Sequence, residues 1–160
     1  MSVRVGHGFD AHRLVAGRPF ILGGVRIPFE RGPLGHSDGD ALAHALADAI
    51  LGACNLGDLG RHFPDSDPQW KDADSLRLLE ACARMAREAG YELVNVDATV
   101  VVEAPKLAPH LDAIRARLAE TLRVDSSSVS VKAKTSEGMG YTGDGSGIAA
   151  YAIAALERSR

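Results

Sequence analysis

Val3-Arg4-Val5-Gly6-His7-Gly8-Phe9-Asp10-Ala11-His12 is the stretch on which the reading of the fold turns. Its alternation predicts a strand, in which successive side chains point to opposite faces. Asp10 and His12 then share one face, and His7, Phe9 and Ala11 share the other. A carboxylate beside an imidazole makes a two-donor clamp, and a catalytic zinc site needs a third protein ligand. His44 is the candidate, within Gly39-Asp40-Ala41-Leu42-Ala43-His44-Ala45-Leu46-Ala47-Asp48-Ala49-Ile50, a helical pattern. Asp40, His44 and Asp48 recur there at i, i+4 and i+8, one row along a helix. That helix holds no Lys, Arg or Glu, although an ordinary surface helix carries long charged side chains along its polar face. Two readings stand at this point. The three residues share a metal, or Asp10–His12 is a hydrogen-bonded pair beside a satisfied core histidine.

The whole chain narrows the classes. Its 160 residues suit a single domain, 1–160, long enough to bury a core. The net charge is −3, with no run of like charges and no apolar stretch of spanning length. Neither nucleic acid nor membrane is expected as a partner. Met1 leads straight into the strand pattern with no leader-like segment, so a cytoplasmic location is expected. Cys54 and Cys82 sit in apolar helical patterns and read as small buried residues of a reducing compartment.

Further along, Phe20-Ile21-Leu22-Gly23-Gly24-Val25-Arg26-Ile27 predicts two short strands about a two-residue turn. Arg31 to Asp40 reads as a loop, and Asn55 to Asp74, rich in turn formers, as a long loop of the kind that serves as a lid. Asp74-Ser75 opens an amphipathic helix through Ala89, with Gly90 as its C-cap, read as scaffold. Val94, Val96, Ala98, Val100 and Val102 alternate along a strand from Leu93 to Glu103. A helix with Pro109 in its first turn follows, then a strand from Val129 to Thr135. Gly147 to Leu156 is ambiguous: its alanines favour helix, while its length also suits a strand buried on both sides. The order is α+β, strands interleaved with helices. Lys132 through Gly143 combines lysines, hydroxyls and spaced glycines into a candidate anion cradle. Its G-x-G-x-x-G spacing lacks the βαβ context of a dinucleotide site.

Several blocks together carry a resemblance: Gly6 to His12, His36-Ser37-Asp38-Gly39-Asp40, the His44 helix, Leu56 to Gly60, Phe63 to Pro68, Ala104-Pro105-Lys106, and Lys132 to Thr142. In this order and spacing the chain resembles the 2-C-methyl-D-erythritol 2,4-cyclodiphosphate synthase family of the non-mevalonate isoprenoid pathway. The resemblance implies a lyase that cyclises 4-diphosphocytidyl-2-C-methyl-D-erythritol 2-phosphate and releases CMP. It implies a mixed β-sheet covered on one face by helices, with Gly147–Leu156 as a strand. It also implies a homotrimer with active sites between subunits. By motif match, Asp10, His12 and His44 would bind zinc, and Glu137 a second divalent ion, magnesium or manganese. His36 and Thr135 would steady the reacting diphosphate. Ser37, Asp58 and Gly60, with the loop Phe63, Asp65 and Asp67, would meet the substrate. Val102, Ala104, Pro105, Lys106, Leu107 and Ala108, with Ala133 and Lys134, would form a cytidine pocket. Ser136 and Tyr141 would complete the substrate contacts. Lys134 stands where many relatives carry a hydroxyl. Two rivals predict other products: a zinc phosphohydrolase would release inorganic phosphate, and a trimeric cytidine-nucleotide sensor would bind without turnover.

Overall fold

The computed structural model describes residues 2–160. Its strands are β1 (Val3–Ala16), β2 (Phe20–Leu22), β3 (Val25–Ile27), β4 (Arg31–Pro33), β5 (Tyr91–Val101), β6 (Val129–Lys134) and β7 (Gly147–Arg158). Five form one sheet in the order β4-β1-β7-β5-β6, and β2 and β3 form the expected Gly23-Gly24 hairpin. Only β5 and β6 run parallel, so the sheet is mixed. The helices are α1 (Ala41–Ala53), α2 (Leu59–His62), α3 (Ser75–Glu88), α4 (Leu111–Leu122) and α5 (Gly140–Gly143). The α1 helix lies on β1 and β7, α3 packs on α1, and α4 joins the parallel pair. No described helix is long and apolar enough to cross a membrane. The other sheet face leaves Val5, Phe9, Tyr151 and Ile153 exposed.

Two glycines set the seat of α1. Gly6 and Gly8 share a strand face with Asp10 and His12, and both press against the helix backbone. A Cβ on Gly8 would lie 1.7 Å from the Ala45 carbonyl oxygen, and one on Gly6 1.8 Å from that of Ala49. Only glycine admits so close an approach. The helix meets them with small, fully buried residues, Ala41, Ala45 and Ala49 among them. The approach brings His44, one residue before Ala45, onto Asp10.

Asp40 corrects the reading of a polar row. It lies outside the helix as the N-cap and is completely buried. Its carboxylate accepts N–H bonds from Ala43 at 3.0 Å, Gly23 at 2.9 Å and Gly24 at 2.8 Å. One side chain thereby starts the helix and holds the hairpin turn. Asp40→Ala should lower the unfolding free energy by about 2–4 kcal/mol in urea denaturation, since it leaves three buried donors unpaired. Burial pushes the Asp40 carboxyl up from 3.8 to about 6, against the Ala43 N–H and with Asp38 adding repulsion. The folded state then holds this proton more tightly than the unfolded chain. Its contribution is present below about pH 4 and lost as pH rises through 6. The stability advantage of wild type over Asp40→Asn should shrink across that window.

Other segments depart from expectation. Arg31–Pro33, read as loop, pairs with the end of β1, Leu14 opposite Pro33. The long loop holds α2 and a 3₁₀ turn at Pro68–Trp70. A β-bulge between Leu93 and Asn95 turns Val94 outward to 43% exposure, while Val96, Ala98 and Val100 stay buried. Gly147–Leu156 is a strand, but its alternate residues Tyr151 and Ile153 are exposed, so it is buried on one face.

Candidate metal centre

Strand alternation and the glycine seat converge on one cluster. Among the described residues, Asp10, His12 and His44 form a group of three whose donor atoms could hold a metal ion. Oδ2 of Asp10 lies 2.7 Å from Nε2 of His12 and 2.8 Å from Nδ1 of His44, and the two nitrogens stand 3.4 Å apart.

The outer nitrogens decide the tautomers. Nδ1–H of His12 donates to the Leu34 carbonyl at 2.8 Å, and Nε2–H of His44 donates to the Ser75 hydroxyl at 2.8 Å. Each neutral imidazole then presents a lone pair to the centre. Two lone pairs and a carboxylate oxygen repel one another unless a proton or a cation lies between them. Burial pushes the Asp10 carboxyl up, yet the adjoining His12 and His44 imidazoles outweigh it and hold the group down to about 2. Burial opposes protonation of His12, but Asp10 prevails and raises its pKa. The centre favours positive charge.

Ser75 is itself anchored. Its hydroxyl donates to Asp38, and its N–H meets the other Asp38 oxygen at 3.0 Å. The helix read as scaffold thus contributes its first residue to the centre. The sequence marks Asp38 only within a motif block and Ser75 only as a helix start; their link to His44 is made by tertiary packing. Ser75→Ala should weaken metal binding by about 10–100-fold in a chelator competition while leaving the melting profile two-state. Asp48, placed with Asp40 on the ligand row, instead accepts the Leu59 N–H at 2.7 Å, and burial raises its pKa.

The centre opens into a cavity of about 380 Å³. His36, Ser37, Gly60, Phe63 and Asp65 line it, together with Trp70, which the sequence did not mark. Phe63 and Trp70 meet edge to face at 4.9 Å. His36 Nε2–H donates to the Asp67 carbonyl at 3.0 Å. Asp58 and Asp67 do not line the cavity and instead cap α2 and the 3₁₀ turn, accepting from the N–H groups of Arg61 and Gln69.

A second cavity, of about 200 Å³, collects Val102, Pro105, Lys106, Leu107, Ala108, Ala133, Lys134 and Thr135. Ala104 joins Pro105 through a cis peptide bond. Within one chain, Thr135 therefore lies in a different cavity from His36. Glu137 is exposed, at φ 53°, and belongs to no group of metal donors among the described residues. Ser136 bonds Thr142, and Tyr141 lines a cleft beside His12 and Arg13.

Residues 3–157 match the YgbB family. This chain belongs to the YgbB family. It is similar to 2-C-methyl-D-erythritol 2,4-cyclodiphosphate synthase of Geobacillus kaustophilus, 56% identical over 98% of this chain and 99% of that one. Among solved structures, the bifunctional IspDF from Campylobacter jejuni superimposes with a TM-score of 0.95 at 41% identity. The match covers 98% of this chain and 42% of that longer one. A 2C-methyl-D-erythritol-2,4-cyclodiphosphate synthase solved in a CDP-bound form gives a TM-score of 0.89 at 40% identity, over 96% of this chain and all of that one. The family assignment and the donor set favour the shared-metal reading over a plain hydrogen-bonded pair.

Proposed function

We propose that this protein cyclises 4-diphosphocytidyl-2-C-methyl-D-erythritol 2-phosphate to 2-C-methyl-D-erythritol 2,4-cyclodiphosphate with release of CMP, in the cytoplasm. The observation that carries the reading is the Asp10–His12–His44 centre at the mouth of a cavity, in a chain similar along its whole length to synthases of that name. The donors suit zinc. Two imidazole nitrogens and a carboxylate oxygen, drawn within 3.4 Å of one another, are donor types that zinc takes. Asp10, His12 and His44 would hold the ion through one carboxylate and two neutral imidazoles, and the ion would supply Lewis-acid charge to substrate.

The 2-phosphate oxygen attacks the β-phosphorus, a new P–O bond closes the ring, and the P–O bond to CMP breaks. The nucleophile is an anion at neutral pH, so no general base is needed. The obstacles are repulsion between phosphates and the entropy of folding a flexible chain into a ring. Zinc, when bound, supplies positive charge at the phosphate oxygens. His36 and Thr135 would steady the diphosphate, Lys106 and Lys134 would offset its charge, and Glu137 would hold magnesium or manganese. The segment Phe63 to Asp67 would cover the cavity and exclude water. Positioning alone can supply on the order of 7–11 kcal/mol in favourable systems. Incubating metal-loaded protein with the cytidyl substrate should give CMP and a cyclic diphosphate in equal amounts. Inorganic phosphate as product would favour a hydrolase, and binding without turnover a sensor.

The chain, in this reading, assembles as a homotrimer. Val5, Phe9, Tyr151 and Ile153 supply an apolar face of the kind a partner covers. The two cavities also belong to one level of the sheet, since Ala11 pairs Ala149, Ala149 pairs Val101 and Val101 pairs Lys134. The strands that carry them are three apart, about 14 Å, and a neighbour that completes the site would bring one cavity of each chain together. Mixing inactive His44→Ala and Lys106→Ala proteins in equal parts should restore about a quarter of the sites in hybrid trimers. No recovery despite proven subunit exchange would assign each site to one chain.

A further inference from the structure

We infer that Arg18 is a positioning residue of the metal centre, acting through the segment Pro33–Ser37; the inference rests on the metal reading above. The β1–β4 ladder ends at the Leu14–Pro33 pair, and the chain then crosses to α1 without further sheet pairing. Two contacts to the ligand imidazoles come from this crossing. The Leu34 carbonyl accepts Nδ1–H of His12 at 2.8 Å, and the Ser37 hydroxyl lies 3.1 Å from Nε2 of His44. Gly35 adds a steric limit, since a Cβ there would come within 3.1 Å of Cε1 of His12.

Arg18 holds both ends of that segment. Its Nε–H donates to the Pro33 carbonyl at 2.7 Å and its Nη2 to the Ser37 carbonyl at 3.0 Å. The guanidinium is half-buried and, among the described residues, pairs with no carboxylate. Its planar fork is therefore committed to two main-chain oxygens in a fixed relation. The backbone from which it springs is also fixed: a Cβ on Gly32 would lie 2.4 Å from the Arg18 carbonyl oxygen and 2.2 Å from that of Pro19. Without the fork, the segment loses the brace that keeps the Leu34 carbonyl on His12 and the Ser37 hydroxyl beside His44. The His12 tautomer, and so the direction of its lone pair, then loosens, while Ser75 still accepts from His44.

Arg18→Met keeps the aliphatic stem and removes the fork, and Arg18→Lys keeps the charge with a single donor head. Zinc affinity by chelator competition and the visible spectrum of the cobalt-substituted protein are measured beside melting of the apoprotein. Arg18→Met should bind zinc about 10–100-fold more weakly and show altered cobalt bands, with Arg18→Lys between it and wild type. A simple structural clamp would lower the melting temperature and leave zinc affinity and cobalt bands unchanged in the folded fraction, and that result overturns the inference. If Arg18→Met does not fold, the cobalt spectrum of Arg18→Lys decides: bands identical to wild type overturn the inference. Wild-type protein that binds no zinc would instead refute the metal reading, which separates the two failures.

Discussion

His44→Ala protein should fold, lose its metal and cyclise substrate at least about 10³-fold more slowly, the equivalent of some 4 kcal/mol in the barrier. Asp10→Asn should behave alike. The fold does not rest on these side chains, because the glycine seat of α1, the Asp40 cap and the sheet ladders form without them. The centre does rest on them, since two donors cannot hold zinc against water and competing chelators as three do. Metal analysis, CMP release and a thermal melt on one preparation separate the effects. A folded His44→Ala protein with full zinc and turnover would refute the ligand assignment.

A second large effect is expected from a single methyl group. In Gly8→Ala the new Cβ would sit 1.7 Å from the Ala45 carbonyl oxygen, a main-chain atom that no rotamer change can move. The helix must lift from β1, at about 3 kcal/mol or more, and His44 lifts with it. Loss of metal should therefore accompany loss of stability. Gly52→Ala is the contrasting case on the same helix, because the nearest atom to its Cβ, the His7 carbonyl oxygen, is 4.0 Å away. There alanine's helix preference should raise stability, by up to about 1 kcal/mol. Urea denaturation with zinc content tests both. Equal and small effects at the two positions would show that the close approach is not what seats the helix.

Much of the centre was legible because its ligands follow local rules. Asp10 and His12 share a face by strand alternation, and His44 stood out on a helix devoid of long charged residues. What escaped arrives from distant segments. Ser75 is 31 residues from His44, and the Leu34 carbonyl is a main-chain group that sequence does not mark. Asp40 matched the helical row by spacing, yet the helix begins one residue later, and a short carboxylate at that boundary serves the backbone instead. Val94 was misdirected by a bulge, since one extra residue inverts the faces of what precedes it. Arg31–Pro33 holds turn-forming residues and is too short for alternation to register. The strand at Gly147 shows tertiary context overriding alanine's helix propensity. The roles proposed for Thr135 and Glu137 rest on the resemblance alone, because within one chain neither stands in the Asp10–His12–His44 cluster.

β7 lies at the middle of the sheet, between β1 and β5, yet it follows every other described strand along the chain. During synthesis, β1 and β5 are therefore made long before the strand that joins them emerges. Until then each keeps an unpaired edge facing an empty slot, and closure pairs Val3 with Glu157 across nearly the whole chain. Pairings of such sequence separation form slowly, and open strand edges invite association with other chains in the meantime. A nascent chain stalled before Gly147 would resemble a zip with its slider missing.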